Sequence, residues 1–551
     1  MRARNQRRYG DSGADSLRRG TALIVVLVVV VLLSLGAYTF SELMLAETEA
    51  ASRFVREAQA RALADSGVEL AAAWLGAPDT ESTENVYHNP SLFQSVLLVD
   101  HPSDRGRGRV SLVAPVESDS AGQALRYGMI DESSRININA IVGQELEDYV
   151  AREFLMYLPD MTEDVADAIL DWIDGDDTVR EYGVEGEWYL TLVPPYEPRN
   201  GPIASIEELL LVSGVTPELL FGEDANRNGL LDPSEDDGEA SFPVDNADGL
   251  LNPGWAAYLT VHSKESNLRV DGTPKINLNE SLLTELYDQL EEEFGTEIAT
   301  FITAYRLEGS TNLPEIATAD NTTGDETTDE ALQEAAQGIA GAVFGGSGDP
   351  TTRNGMDLSE GASYTFASVY DLLGAEVEVE IDDVPTTLVS PWSTDPGEMV
   401  ETLPLLVETF STTDAETIEG RININAARRE VLLGITDLPV EAAEAIAAAV
   451  PMASDGQGVT DLLSAHTTTG WIFIEGLVDH ETLRILDRYL TTGGDVFRVH
   501  AVGHYDRGGP LVRVEAVIDR TQSPARVVSF RDLSHLGPGY RVDQLSSAAV
   551  P

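Results

Sequence analysis

Between Thr21 and Phe40 the chain passes through about twenty residues that are almost all apolar, with Leu23-Ile-Val-Val-Leu-Val-Val-Val-Val-Leu-Leu33 at the centre. A helix of that length, rising ~1.5 Å per residue, spans the ~30 Å hydrocarbon core of a bilayer. Whatever else the chain forms must be arranged around one apolar helix at its N-terminal end. Arg2, Arg4, Arg7, Arg8, Arg18 and Arg19 precede the run. The positive-inside rule then keeps the N-terminus cytoplasmic and sends the rest of the chain across. A secretory signal peptide would have a shorter apolar region ending in an A-x-A-like site. Here the run continues into Glu42 to Leu75, free of Gly and Pro until Gly67, with Ala46, Ala50, Phe54, Ala58 and Ala62 at helical spacing. One helix from Thr21 to Leu75 is predicted, part in the membrane and part beyond it.

The basic leader, Gly20 and the apolar helix together resemble the type IV pilin and pseudopilin class. The resemblance implies cleavage by a prepilin peptidase between Gly20 and Thr21, with methylation of the new N-terminus. Most members of the class carry glutamate at the fifth mature residue; here it is Val25. One pseudopilin family characteristically lacks that acid. An uncleaved single-pass anchor is the alternative reading of this segment.

At 551 residues the chain should hold two or three folded units. It has no cysteine, which excludes disulfides, thiolate metal sites and a cysteine nucleophile. The net charge is −59, or −63 without the leader's six Arg and two Asp. Such a surface repels nucleic acid and anionic headgroups and attracts cations or basic partners. It also suits a soluble exterior in a saline or calcium-containing milieu.

Beyond the helix, Ser95 to Val99, Arg109 to Val113 and Ala124 to Ile130 read as antiparallel strands. Their counterparts lie at the far end, where Phe497 to Val502 and Leu511 to Ile518 alternate around Gly508-Gly509. The fold class is therefore α+β: a long N-terminal transmembrane and spine helix, then a pilin-like antiparallel head interrupted by a large, mostly helical insertion. Arg135-Ile-Asn-Ile-Asn-Ala140, Lys275-Ile-Asn-Leu-Asn-Glu280 and Arg421-Ile-Asn-Ile-Asn-Ala426 repeat one element three times within that insertion. Helix-forming segments follow each copy, and the Leu158-Pro159 and Leu438-Pro439 turns suggest helix-hairpin-helix or SAM-like units. The expected division is 1–20 leader, 21–76 spine helix, 77–142 first part of the head and 143–272 helical domain. A second helical repeat domain follows at 273–494 with a mobile loop at 308–328, and strands at 495–530 complete the head.

The most informative stretch is Ala168-Ile-Leu-Asp-Trp-Ile-Asp174-Gly-Asp-Asp177, then Gly186-Glu-Trp-Tyr189, Pro194 to Pro202, and Ser205-Ile-Glu-Glu-Leu-Leu-Leu-Val-Ser-Gly-Val215. With Asp131 to Asn139 before it and the Phe497 hairpin after it, this resembles the general secretion pathway protein K family of type II secretion. The resemblance covers roughly Leu17 to Asp519, and the chain departs from it in length, in its third Asn repeat and in an EF-hand-like insertion at 224–235. It implies a minor pseudopilin at the tip of a periplasmic pseudopilus. Its partners would be the I and J type minor pseudopilins, the prepilin peptidase and the inner-membrane assembly platform. A tip subunit has no neighbour ahead to pair with a fifth-residue acid, so Val25 avoids an unpaired buried charge.

Asp224-Ala-Asn-Arg-Asn-Gly-Leu-Leu-Asp-Pro-Ser-Glu235 matches the twelve-residue EF-hand loop. Asp224, Asn226, Asn228, Asp232 and Glu235 supply oxygen side chains, Leu230 a backbone carbonyl and Gly229 the turn, so calcium is the expected cofactor. An Asx-rich turn without metal is the alternative, and Asn246 to Asn252 echoes the loop without its first acid. The family resemblance also makes Asp174, Asp176, Asp177, Glu185 and Glu187 metal candidates; otherwise they form a solvated acidic loop.

Two other function classes remain. Arg421 to Gly434 followed by Pro439 to Ile446 resembles a DNA-binding helix-hairpin-helix, but Asp437 in its turn and the negative field oppose phosphate binding, so no nucleic-acid partner is expected. A minor pilin of a type IV pilus-like machine is the closer rival. No H-E-x-x-H, G-x-S-x-G or Walker loop is present and the eight histidines are scattered singly, so no enzyme is expected.

Overall fold

The structure, a computed structural model, describes residues 14–77, 84–117, 119, 121–143, 148–240, 243–316, 351–359, 361–450 and 465–546. Most of the leader and residues 317–328 of the expected mobile loop lie outside the described residues. The N-terminal helix α1 spans Ala14–Leu75 and so begins within the leader. From Ala22 to Val55 every side chain is exposed. Further along, Ala60, Ala64, Val68, Ala71 and Leu75 turn one narrow face inward and are buried.

That face lies on a seven-stranded sheet. Its strands are β1 (Val96–Val99), β2 (Gly108–Pro115), β3 (Leu125–Arg126), β4 (Ile130–Asp131), β5 (Val496–Tyr505), β6 (Val512–Asp519) and β7 (Arg526–Asp532). They pair antiparallel in the order β1-β2-β5-β6-β7, with β3 added to β2 and β4 to β5. The central strand thus comes from the far end of the sequence, as the split head requires. The segment expected as one strand over 124–130 is two short ones, because its backbone bonds elsewhere. Met129 N donates to Val86 O (2.8 Å), and Tyr127 O accepts from Asn89 N (2.7 Å).

Alternation sorts the sheet's two faces. Phe497, Val499, Ala501, Val512, Val514, Ala516 and Ile518 face α1 in one apolar cluster. Small residues bring helix and sheet together. A Cβ on Gly67 would sit 2.5 Å from Val110 Cγ2, and one on Gly503 would overlap the Ala60 carbonyl. Between these positions stand Arg498, His500, Arg513 and Glu515, which meet the insertion on the opposite face.

The insertion, from Glu132 to Asp495, has one continuous core. The three Asn repeats open three related units. In each, the Ile-Asn or equivalent pair forms a two-residue strand, helices follow, and a second short strand closes parallel to the first. The pairs are Ile136–Asn137 with Leu259–Thr260, Ile276–Asn277 with Phe410–Ser411, and Ile422–Asn423 with Leu490–Thr491. The first Asn of each repeat accepts from the backbone N–H two residues on (Asn137, Asn277, Asn423; 2.9–3.2 Å). The second Asn reaches across its unit: Asn139 exchanges bonds with the Ile203 backbone, Asn279 with that of Phe366, and Asn425 donates to His466 O. The 273–494 stretch therefore holds two such units. They are joined by the Arg484–Asp371 pair, fully buried on both sides (Nε–Oδ1 2.6 Å).

Candidate assembly helix and acidic loops

Gly20 and Thr21 lie in the second turn of α1, at the head of its apolar run. Val25 is 61% exposed, like the side chains around it. From Ala22 the helix is long and apolar enough to cross a membrane, and it is the one described helix of that kind. Its bare surface runs some thirty residues before the head begins, enough for the hydrocarbon core and for contact with neighbouring helices.

The acidic loop after the Glu163–Ile173 helix closes on an arginine. Asp171 lies 2.8 Å from Arg180 Nη1, and Asp174 contacts the same guanidinium. Asp176 accepts from Thr178 N (2.6 Å), Asp177 from Asn200 Nδ2 (3.0 Å), and Glu187 is exposed. Glu185 is buried without a hydrogen bond to either oxygen; burial, reinforced by Asp171 and Asp174, pushes it up to about 7.

The 224–235 loop has its own internal partners. Asp224 accepts from Asn228 N (3.0 Å) and Gly229 N (2.8 Å), and Asp232 from the side-chain amides of Asn226 (2.7 Å) and Asn228 (3.0 Å). Glu235 accepts from Asp232 N (3.0 Å) and Asn226 N (3.4 Å). Burial, together with Asp224 and Asp232, raises Glu235 to about 7. Among the described residues no group of three or more His, Cys, Asp or Glu is placed to hold a metal ion. The expectation of calcium is overturned, both for Asp224, Asn226, Asn228, Leu230, Asp232 and Glu235 and for Asp174, Asp176, Asp177, Glu185 and Glu187. Their residue types match a calcium loop, but loop amides engage Asp224, Asp232 and Glu235, and Arg180 engages Asp174.

The 224–235 loop instead forms a joint. Arg513 of β6 donates to the Asn226 and Arg227 carbonyls, and Tyr540 of the C-terminal tail donates to Asn228 O (3.1 Å). Leu230 packs with Val113, Val502, Tyr540 and Leu545. Neither Arg513 nor the tail could be assigned to this role from sequence, since both lie some three hundred residues away.

The helix-hairpin-helix turn of the third unit is likewise occupied by protein. A Cβ on Gly434 would lie 2.7 Å from Phe154 O, Thr436 donates to Glu153 (3.3 Å), and Phe154 meets Tyr489 edge-on. The surface that binds phosphates in DNA-binding units of this kind faces the first unit here.

Residues 134–221 match the family described as type II secretion system (T2SS), protein K. The matched segment contains the first Asn repeat, the Arg180-centred acidic loop and the Ser205 to Val215 stretch. Among solved structures, the chain is similar to one from the GspK-GspI-GspJ complex of the enterotoxigenic Escherichia coli type 2 secretion system. The identity is 12% over 88% of this chain and 98% of that chain, with a TM-score of 0.30. No curated protein matches. The chain has no cysteine, and among the described residues no group of His, Cys, Asp or Glu is placed to hold a catalytic metal.

Proposed function

We propose that this protein is a minor pseudopilin of type II secretion, placed once at the pseudopilus tip and starting its assembly. The observation that carries this reading is the protein K match over 134–221, set in an insertion that interrupts a head sheet packed on a long apolar helix. In this reading the N-terminus is cytoplasmic and the head periplasmic. A prepilin peptidase cuts between Gly20 and Thr21, the new terminus is methylated, and the inner-membrane assembly platform takes up the helix. The I and J type minor pseudopilins are the partners. The insertion favours a tip position, because so broad a head would collide with its own copies in a narrow fibre. Val25 favours it too, since Val25→Glu would place an unpartnered acid in the apolar spine at a cost of several kcal/mol.

The deciding experiment is size-exclusion chromatography with light scattering of the membrane-extracted chain, with and without I and J type pseudopilins from the same genome. A one-to-one-to-one complex is expected. Fibres of this chain alone would sink the tip position. Mass spectrometry of the same preparation should show a terminus at Thr21; an intact Met1 would remove the processing step.

A further inference from the structure

A cavity of about 90 Å³ lies between the head sheet and the first unit of the insertion. A water needs roughly 10–15 Å³ of such space, so there is room for a ligand of several heavy atoms. Its walls carry more arginines than carboxylates, although the protein as a whole is strongly acidic. Most of these arginines are matched. Arg531 grips Glu207 with two nitrogens, and Arg498 grips Glu132 with two (2.6 and 3.2 Å) while lying 3.3 Å from Glu515.

Arg135 is the least well matched. Its Nη1 is buried with no hydrogen-bond partner, and the nearest carboxylate oxygen is 4.0 Å away on Glu132, which Arg498 already holds. Burial and the adjacent Arg498 push Arg135 down to about 10, against the opposing pull of Glu132 and Glu515. Arg428 donates to the Glu117 backbone carbonyl (3.0 Å), while the Glu117 carboxylate is held by Arg126. His500 is nine-tenths buried; its Nε2 lies 3.2 Å from Glu515, and neither ring nitrogen makes a hydrogen bond.

We propose that this cavity binds a small oxyanion from the surrounding medium, of the carboxylate or phosphate class, held by Arg135 with Arg428 and His500. Guanidinium groups match the paired oxygens of both classes, and a water in their place supplies acceptors without the missing charge. The bound ion would tie β5, through His500, to the first strand of the insertion, through Arg135. Arg135 stands at the start of the K-family match and His500 lies outside it, and the site is independent of the tip position proposed above.

The test uses the full chain purified in detergent, in chloride buffer at constant ionic strength, with phosphate, sulfate or malonate added. Calorimetry should find one saturable site for at least one of them. Its occupancy should raise Tm by a few degrees at an excess of ligand. A stronger response to malonate identifies the carboxylate class, and a stronger response to phosphate or sulfate the tetrahedral class. Arg135→Gln should abolish the response and should raise Tm in chloride alone, because it removes a buried cation whose Nη1 has no hydrogen-bond partner. His500→Gln should weaken binding several-fold and provides the readout if Arg135→Gln does not fold. A wild-type chain indifferent to all three anions overturns the proposal. So does an Arg135→Gln chain that responds as wild type does, or one that melts lower in chloride because Arg135 was already matched.

Discussion

The head sheet shows two contrasting ways of covering one surface. Toward α1 it offers alanine, valine and glycine, and the helix answers with Ala60, Ala64 and Gly67. Toward the insertion the same strands offer Arg498, His500, Arg513 and Glu515. Burial of small apolar groups gains stability wherever atoms fit closely, and pH and salt hardly change it. Buried ion pairs add little net stability, but breaking one leaves a charge stranded. The helix face should therefore set the strength of the head, while the insertion face fixes the register in which the two parts dock.

The comparison is broken most severely by Gly503→Val, which drives a side chain into the Ala60 backbone. The clash is with backbone that cannot turn aside, so the head should fail to close, seen as a lost unfolding transition and rapid proteolysis. On the opposite face, Arg498→Met should cost about 3–5 kcal/mol in urea denaturation, because it strands Glu132 and Glu515. Adding Glu132→Gln to that variant should recover part of the loss. If the two substitutions simply add, the pair is not coupled and the contrast between the faces fails. Burial alone would raise Glu132, but Arg498 and Arg135 hold it down to about 2, so this contribution is present above pH 4.5 and vanishes as pH falls through 2.

A smaller effect separates the faces by pH. His504 is buried beside Ser111 (3.2 Å), near Arg109 and Asp506, and burial lowers it to about 4. Unfolding frees it to take up a proton near its ordinary 6.5, so stability is full above that value and falls as pH drops from 6.5 to 4. The loss should approach ~3 kcal/mol. The difference in stability between wild type and His504→Gln, followed over that range, should show the slope; parallel curves would mean His504 is hydrated. The smallest effect expected is that of Tyr540→Phe, which removes one hydrogen bond from the 224–235 joint at about 1 kcal/mol.

The parts of this architecture legible in the sequence were those with periodicity or punctuation. The apolar helix, the alternation of Phe497 to Val502 around Gly508-Gly509, and the Asn repeats all carry local signals. β7 carries less: Val527, Val528 and Phe530 remain exposed on an edge, so the alternation expected of a half-buried strand is blurred. The closing strands of the three units are two residues long, too short for any period. A second repeat marks the middle of two units, where Ile203-Ala-Ser-Ile-Glu-Glu-Leu-Leu and Phe366-Ala-Ser-Val-Tyr-Asp-Leu-Leu hold equivalent places. The metal expectation failed for another reason. Spacing records which oxygens lie near one another, but not which amides or arginines the fold brings to them, as Arg180 and Asn228 do here.

The placement of β5 between β2 and β6 has a consequence for how the protein is made. The strand at the centre of the head is separated from its partner β2 by the whole insertion, so the sheet has an extreme contact order. During synthesis the three units of the insertion emerge complete while β2 still lacks its partner β5. The alanine face of α1 stays uncovered until nearly the last residues arrive. Folding therefore runs from the middle outward, with the oldest and youngest parts of the chain joining last. A chain cut short just before β5 keeps its apolar helix and its insertion but cannot close the head sheet, and the exposed strip on α1 marks it as unfinished.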